Sequence, residues 1–381
     1  TLTHPAELSK QLFQKGYEVN KMFSYRPGKE KEFLNDVYKM TGQLTELCLD
    51  LMKTEAWDFF MVVFRDTDEL SHYFWKFMDA KHPLHVPGQT EYQDAILSYY
   101  QFVDSEMAKL LDRVGDDVTV VVLSDHGEGP LYRDVLLNEW LKQKGYLEVK
   151  LSGDTQKRGR QYLAKIGITR ANISVALRKL KLSKVETWIK DKLGDRINIL
   201  PKNSRAEFPE AIDWSKTQAF SFGYHGQIYI NRNLLPKDEN GEPLKSAYEA
   251  LVKKIIQDLY QLRDPADGKP VVDHAFQKDE IYAGPYTNWA PDITVVMRNF
   301  SYITRLGYEF SSKSGEIFAP PSTFESGSHR QEGLLIISGS EAENHQGYFE
   351  EANLADVMPT ILYLLGCPVP QKLDGKTLKN W

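Results

Sequence analysis

Two short apolar runs, Trp57 to Arg65 and Val118 to Leu123, each follow an amphipathic helical stripe and each end in a polar cluster. The first stripe is Phe33, Val37, Met40, Leu44, Leu47 and Leu51, spaced by three and four. The second is Tyr92, Ile96, Tyr99, Val103, Met107, Leu110 and Val114, and Thr90 with Gln93 three residues on reads as its capping box. Both runs are too brief for helices and rich in β-formers, as expected of strands covered on two faces. Helix, strand, helix, strand at this spacing predicts an α/β fold, a mostly parallel central sheet flanked by helices, with ligands gathering beyond the carboxyl ends of its strands. Further strands are expected at Gln227 to Ile230, Asp292 to Met297 and Gly333 to Ile337, and further helices over 244–262 and 356–365, the last terminated by Gly366.

Charge divides the chain. Residues 150–205 hold 15 Lys and Arg against four acids, about +11, within a chain of 381 residues whose net charge is −6, so the remainder is about −17. The expected organisation is therefore an α/β core in two parts, 1–149 and 211–381, separated by a basic, mostly helical insertion or cap at 150–210. Overall acidity argues against a general nucleic-acid binder, and Tyr162 and Trp188 are too few aromatics for single-strand stacking. The longest apolar stretches, such as Phe59 to Phe64, are far too short to span a bilayer, so no integral membrane segment is expected. Two cysteines, Cys48 and Cys367, fit a reducing compartment, and the expected location is cytoplasmic.

The polar clusters carry the chemistry. Asp66-Thr-Asp68-Glu-Leu-Ser-His72 follows the first run, and a helix starting here sets Asp68 and His72 on one face, one turn apart, able to grip one metal ion. Ser124-Asp125-His126-Gly127 follows the second run, and Ser326-Gly-Ser-His329-Arg330 precedes a third. A lone Asp or His at a strand end is more often a cap or a loop residue than a ligand. Three such clusters, all of Asp and His and each abutting an expected strand, suit a borderline-hard ion such as Zn²⁺ or Mn²⁺. Glu128 reads as a solvated loop carboxylate, His225 as a loop residue, and His82 with His85 as a surface loop rather than a metal pair. Arg330 could meet a phosphate or form a salt bridge, and Tyr286, Trp289 and Phe300 read as core.

These residues resemble the alkaline phosphatase superfamily, in particular its type I phosphodiesterase and phosphohydrolase-phosphomutase branch. The strand followed by Asp68-x-x-x-His72, the strand followed by Ser-Asp125-His126-Gly, and Gly327-Ser-His329 look like that family's metal motifs in their order. The likeness continues in Leu137-Asn-Glu-Trp-Leu141, Asp213 to Thr217, Ala290-Pro-Asp292, and Asp356 to Leu362 with Asp374-Gly-Lys376. Glu128 departs from it, standing where the family usually has an aromatic residue.

The resemblance implies two divalent ions, Zn²⁺ or Mn²⁺, acting on a small-molecule phosphate ester, a phosphodiester or phosphomonoester. One ion would take Asp68, His72 and His329; the other Asp125 and His126 with an Asp and a nucleophilic Thr or Ser that the family carries near its amino terminus. Those two would lie upstream of Thr1, so the chain is expected to be the carboxyl-terminal portion of a longer enzyme, inactive or impaired by itself. Phosphomutase and sulfatase chemistry would use the same site, and a non-catalytic metal-binding remnant is the reading from a different class.

Overall fold

The computed structural model describes residues 3–14, 25–150, 211–304, 315–321, 324–339 and 352–378. The expected insertion at 150–210 lies, but for Lys150, outside the described residues.

After a short helix α1 (Leu8–Gln14), three helices build the first core: α2 (Glu30–Thr54), α3 (Asp66–Met78) and α4 (Ala95–Leu111). Their stripes meet. Phe33 and Val37 of α2, Leu70, Phe74 and Phe77 of α3, and Tyr99 and Val103 of α4 form one buried cluster with Tyr25. Each such side chain removed from water is worth about 1.5–3 kcal/mol. The stripe periods were therefore right, but the capping box was not: Thr90–Tyr92 is an isolated 3₁₀ turn, and α4 begins only after Asp94.

Downstream come β1 (Val120–Leu123), β2 (Gly127–Pro130), β3 (Arg133–Val135), α5 (Leu137–Gln143), β4 (Ala219–Ser221), β5 (Gln227–Ile230) and α6 (Lys245–Tyr260). They are followed by β6 (Val272–Gln277), α7 (Lys278–Ile281), β7 (Ile293–Met297), β8 (Tyr302–Thr304), β9 (Phe318–Ala319), β10 (Gly327–Arg330), β11 (Leu335–Ser338) and α8 (Val357–Leu364). A second core joins Trp140 and Leu141 of α5, Ile255 and Leu259 of α6, and the inward residues of β5 and β7. Asp292 anchors it from beneath the sheet, accepting from the Ile230 amide at 2.7 Å, the Tyr248 hydroxyl at 2.8 Å and Arg232 at 2.9 Å. The Ala290-Pro-Asp292 motif is thus structural where it is described.

The mixed α/β character stands, but the mostly parallel central sheet is not what the described residues form. Their sheets are small: β1 with β11, β2 with β10, β8-β3-β9, and β4-β5-β7-β6. Of these ladders only β3 with β8 runs parallel. The expected strand over 57–65 is also absent as a paired strand. It runs extended between α2 and α3, and among the described residues no backbone hydrogen bond joins its amides to a neighbour. Burial alternates along it, with Phe59, Met61 and Val63 at 50%, 68% and 60% exposure while Phe60, Val62 and Phe64 turn inward. The expected strand covered on two faces is therefore not what this run forms: among the described residues it has no partner strand, and one of its faces stays open.

Tyr286 and Trp289 correct another expectation: both are exposed, edge to face at 6.1 Å, and not core. Helix α8 tolerates Pro359 near its start and ends as expected at Gly366, whose φ is +65°. Among the described residues no helix is long and apolar enough to cross a membrane.

Candidate metal centre

Helix α3 supplies the first two groups. Asp68 and His72 stand one turn apart, with His72 Nε2 at 3.1 Å from Asp68 Oδ1. Strand β10 runs hard against this turn. The Ser326 amide donates to the His72 carbonyl at 2.5 Å, and a Cβ on Gly327 would lie 2.4 Å from the Ser71 carbonyl oxygen, so only glycine fits. This closeness lets the His72 Nδ1–H donate to the Gly327 carbonyl at 2.9 Å, which leaves Nε2 as the nitrogen facing the site.

Two residues along β10, His329 brings its Nε2 to 3.0 Å from His72 Nε2 and 3.3 Å from Asp68 Oδ1. Three donor atoms from segments more than 250 residues apart therefore form a triangle with edges of 3.0, 3.1 and 3.3 Å. Donors around one four-coordinate ion at 2.0–2.2 Å stand roughly 3.3–3.5 Å from each other, so the set could hold a divalent metal ion.

The second expected pair is nearby but less gathered. The His126 ring stacks on that of His329, centroids 3.8 Å apart, with its Nε2 at 3.9 Å from Asp68 Oδ1 and 3.6 Å from Asp125 Oδ1. Asp125 itself is 76% exposed along its side chain. Gly127 opens β2, where a Cβ would strike the Glu332 carbonyl at 2.1 Å.

Glu128 is the residue that sequence reasoning misread. It is no solvated loop carboxylate: its side chain is 11% exposed, and strand pairing sets it directly opposite His329. Its carboxylate joins Asp68, His72 and His329 in a group whose ligand atoms all lie within 4.8 Å of one another. The signal that would have found it is strand alternation in Gly127-Glu-Gly-Pro130, visible only once β2 is known to pair with β10.

The electrostatics follow from these contacts. Burial works against the Asp68 carboxylate, but hydrogen bonds from His329 and His72 outweigh it and hold Asp68 far below the usual carboxylate range. Burial likewise opposes the charged form of His72, yet Asp68 and the Gly327 carbonyl push it up to about 9. Glu128 is shifted upward, first by burial and then, against the pull of His72, by the neighbouring Asp68.

The remaining sequence candidates find other work. Arg330 meets neither a phosphate nor a carboxylate; its guanidinium donates to the carbonyls of His329 at 2.7 Å, Pro130 at 2.6 Å and Ser328 at 3.2 Å, bracing β10 on β2. His82 is buried rather than on a surface loop: its Nε2–H donates to the Leu131 carbonyl at 2.7 Å and its Nδ1 accepts from the Leu84 amide at 3.1 Å. His85 donates to the Lys76 carbonyl at 2.8 Å. His225 lies at the edge of the centre, its ring 6.2 Å from that of His329, and burial followed by the charges of His329 and His72 lowers its pKa.

Fold and site together define an α/β protein with a half-buried carboxylate-imidazole centre suited to a divalent ion. Across residues 4–228 the chain matches Type I phosphodiesterase / nucleotide pyrophosphatase, and it belongs to that family, within the alkaline phosphatase superfamily. His329 lies beyond the matched span, and the fold brings it to Asp68 and His72. No curated protein and no solved structure matches the chain. Family and centre together support a phosphoester hydrolase.

Proposed function

We propose that Asp68, His72 and His329 hold one divalent ion, Zn²⁺ or Mn²⁺, at which a small phosphodiester or phosphomonoester is hydrolysed. The observation that carries this is the 3.0–3.3 Å triangle of their donor atoms in a chain of the type I phosphodiesterase family. Asp125 and His126 are the proposed donors to a second ion, with His126 kept at the first site by its stack on His329. Bound divalent ions would supply charge neutralisation for the attacking and leaving oxygens of an in-line displacement.

The chain's own residues do the positioning. Gly327 fixes the tautomer of His72, Asp68 orients both imidazoles, and Arg330 locks the strand that carries His329. No residue of this chain is assigned as nucleophile. Thr3 accepts from the Ser9 amide at 3.0 Å and donates to the Pro5 carbonyl at 2.8 Å, a local capping role.

The test is hydrolysis of bis(4-nitrophenyl) phosphate by the full chain with added Mn²⁺ or Zn²⁺. Metal-dependent release of nitrophenol that His329→Ala abolishes and Asp125→Ala reduces supports the reading. Metal bound without turnover would favour a non-catalytic metal-binding protein, and turnover of an aryl sulfate instead would favour a sulfatase. Hydrolysis indifferent to chelator and to His329→Ala would refute the assignment.

A further inference from the structure

We propose that Glu128 is a fourth protein donor to the ion of the Asp68, His72 and His329 site, making it a centre of two imidazoles and two carboxylates. This rests on the reading of those three residues as ion ligands. The family resemblance does not provide Glu128, which stands where an aromatic residue is usual; three features of this chain do.

The first is register. In the antiparallel ladder of β2 and β10, His329 pairs directly with Glu128, and Ser328 with Gly129. Directly opposed side chains in such a ladder project from the same face. A donor opposite His329 therefore points where His329 points, toward α3. The glycines on either side are closely packed: a Cβ on Gly127 would lie 2.1 Å from the Glu332 carbonyl oxygen and one on Gly129 2.3 Å from the Arg330 guanidinium, which holds this strand close to its partner.

The second is an unanswered polar demand. Both carboxylate oxygens of Glu128 are buried without a hydrogen-bond partner, whereas Oδ1 of Asp68 faces His72 Nε2 at 3.1 Å and His329 Nε2 at 3.3 Å. The nearest positive-capable group to Glu128 is His126, whose Nδ1 lies 3.5 Å from Oε1 and itself faces the Gly127 carbonyl at 3.1 Å. Arg330, next along the opposing strand from His329, gives its donors to three backbone carbonyls. A buried carboxylate without a donor, as at Glu128, is unfavourable unless a cation or a proton shared with Asp68 stands beside it.

The third is span. The four ligand atoms lie within 4.8 Å of one another, close to the ~4 Å across an ion whose bonds are 2.0–2.2 Å. A proton shared by Asp68 and Glu128 would answer only those two groups. A cation answers both carboxylates and the two imidazole nitrogens, which stand 3.0 Å apart.

Calorimetric titration of the metal-stripped full chain with Mn²⁺ and Zn²⁺ decides the matter, with Glu128→Gln, Glu128→Ala and His329→Ala compared. If Glu128 coordinates, Glu128→Gln weakens binding by about tenfold or more while His329→Ala abolishes it. A shared-proton pair gives the opposite for the isosteric variant, because the Gln amide can donate to Asp68; unchanged affinity in Glu128→Gln alongside loss in His329→Ala overturns the proposal and leaves the three-ligand site standing. Unchanged affinity in His329→Ala removes the site itself and the proposal with it. The visible absorption of bound Co²⁺ gives a second readout independent of affinity. It shifts in Glu128→Gln if the carboxylate is a donor, and an unshifted spectrum counts against it.

Discussion

His72 is the residue through which pH acts on the centre. Burial favours its neutral form, but the contacts to Asp68 and the Gly327 carbonyl prevail and set its pKa to about 9 in the metal-free protein. A divalent ion must displace that proton. Apparent affinity for Mn²⁺ is therefore expected to rise with pH, by up to about tenfold per unit, and to level off above pH 9. Titrations at pH 7, 8 and 9.5 check this; an affinity flat across that range would mean that His72 is neutral throughout. His82 shows the opposite shift. Burial, only partly opposed by its bond to the Leu131 carbonyl, lowers its pKa from 6.5 to about 4. A histidine held neutral in the fold contributes stability that is complete above pH 6.5 and is lost as pH falls toward 4, on the order of 3 kcal/mol. Denaturant midpoints across this window should fall less steeply in His82→Gln, and an equal slope would contradict the assignment. At this scale the nearness of Asp68 to His72 was legible in the sequence, because helical spacing sets it, whereas His329 was joined to them only through the family resemblance. Glu128 was not legible, since its direction depends on a strand pairing between positions some 200 residues apart.

Among elements, the contact of β10 with α3 determines whether the centre exists. Gly327 passes so close to Ser71 that any side chain must separate strand from helix, and the same glycine carries the carbonyl that orients His72. Gly327→Ala should lower stability by about 1–3 kcal/mol, as overpacking does, and weaken metal binding together with it. Thermal melts and titration on one sample test the coupling; normal binding in a destabilised variant would show that the strand positions nothing. Helices α2, α4 and α6 and strands β5 and β7 were readable because each buries one periodic face. Ladder direction was not readable. An apolar run says that a strand is covered but not by which neighbour, so β1 was expected in a parallel sheet and instead pairs antiparallel with β11.

For the molecule as a whole, the segment over 57–64 departs from the cover on two faces that its apolar sequence predicts. It leads straight into the helix that carries Asp68 and His72, yet its backbone is unpaired among the described residues and alternate apolar side chains face outward. Amide hydrogen exchange should be faster at 58–63 than in β1, whose amides lie in a ladder. Protection at 58–63 equal to that of β1 would show that the segment has a partner in solution. An open apolar backbone edge of this kind is also a site for association, which a single Val63→Lys should reduce.

The central claim is that one ion sits among Asp68, His72 and His329, and anomalous scattering locates it directly. Crystals of the full chain grown with Mn²⁺ or Zn²⁺, measured at that metal's absorption edge, should give a peak bonded to Asp68 Oδ1 and to Nε2 of both histidines. A peak elsewhere, or none at saturating metal, would contradict the account.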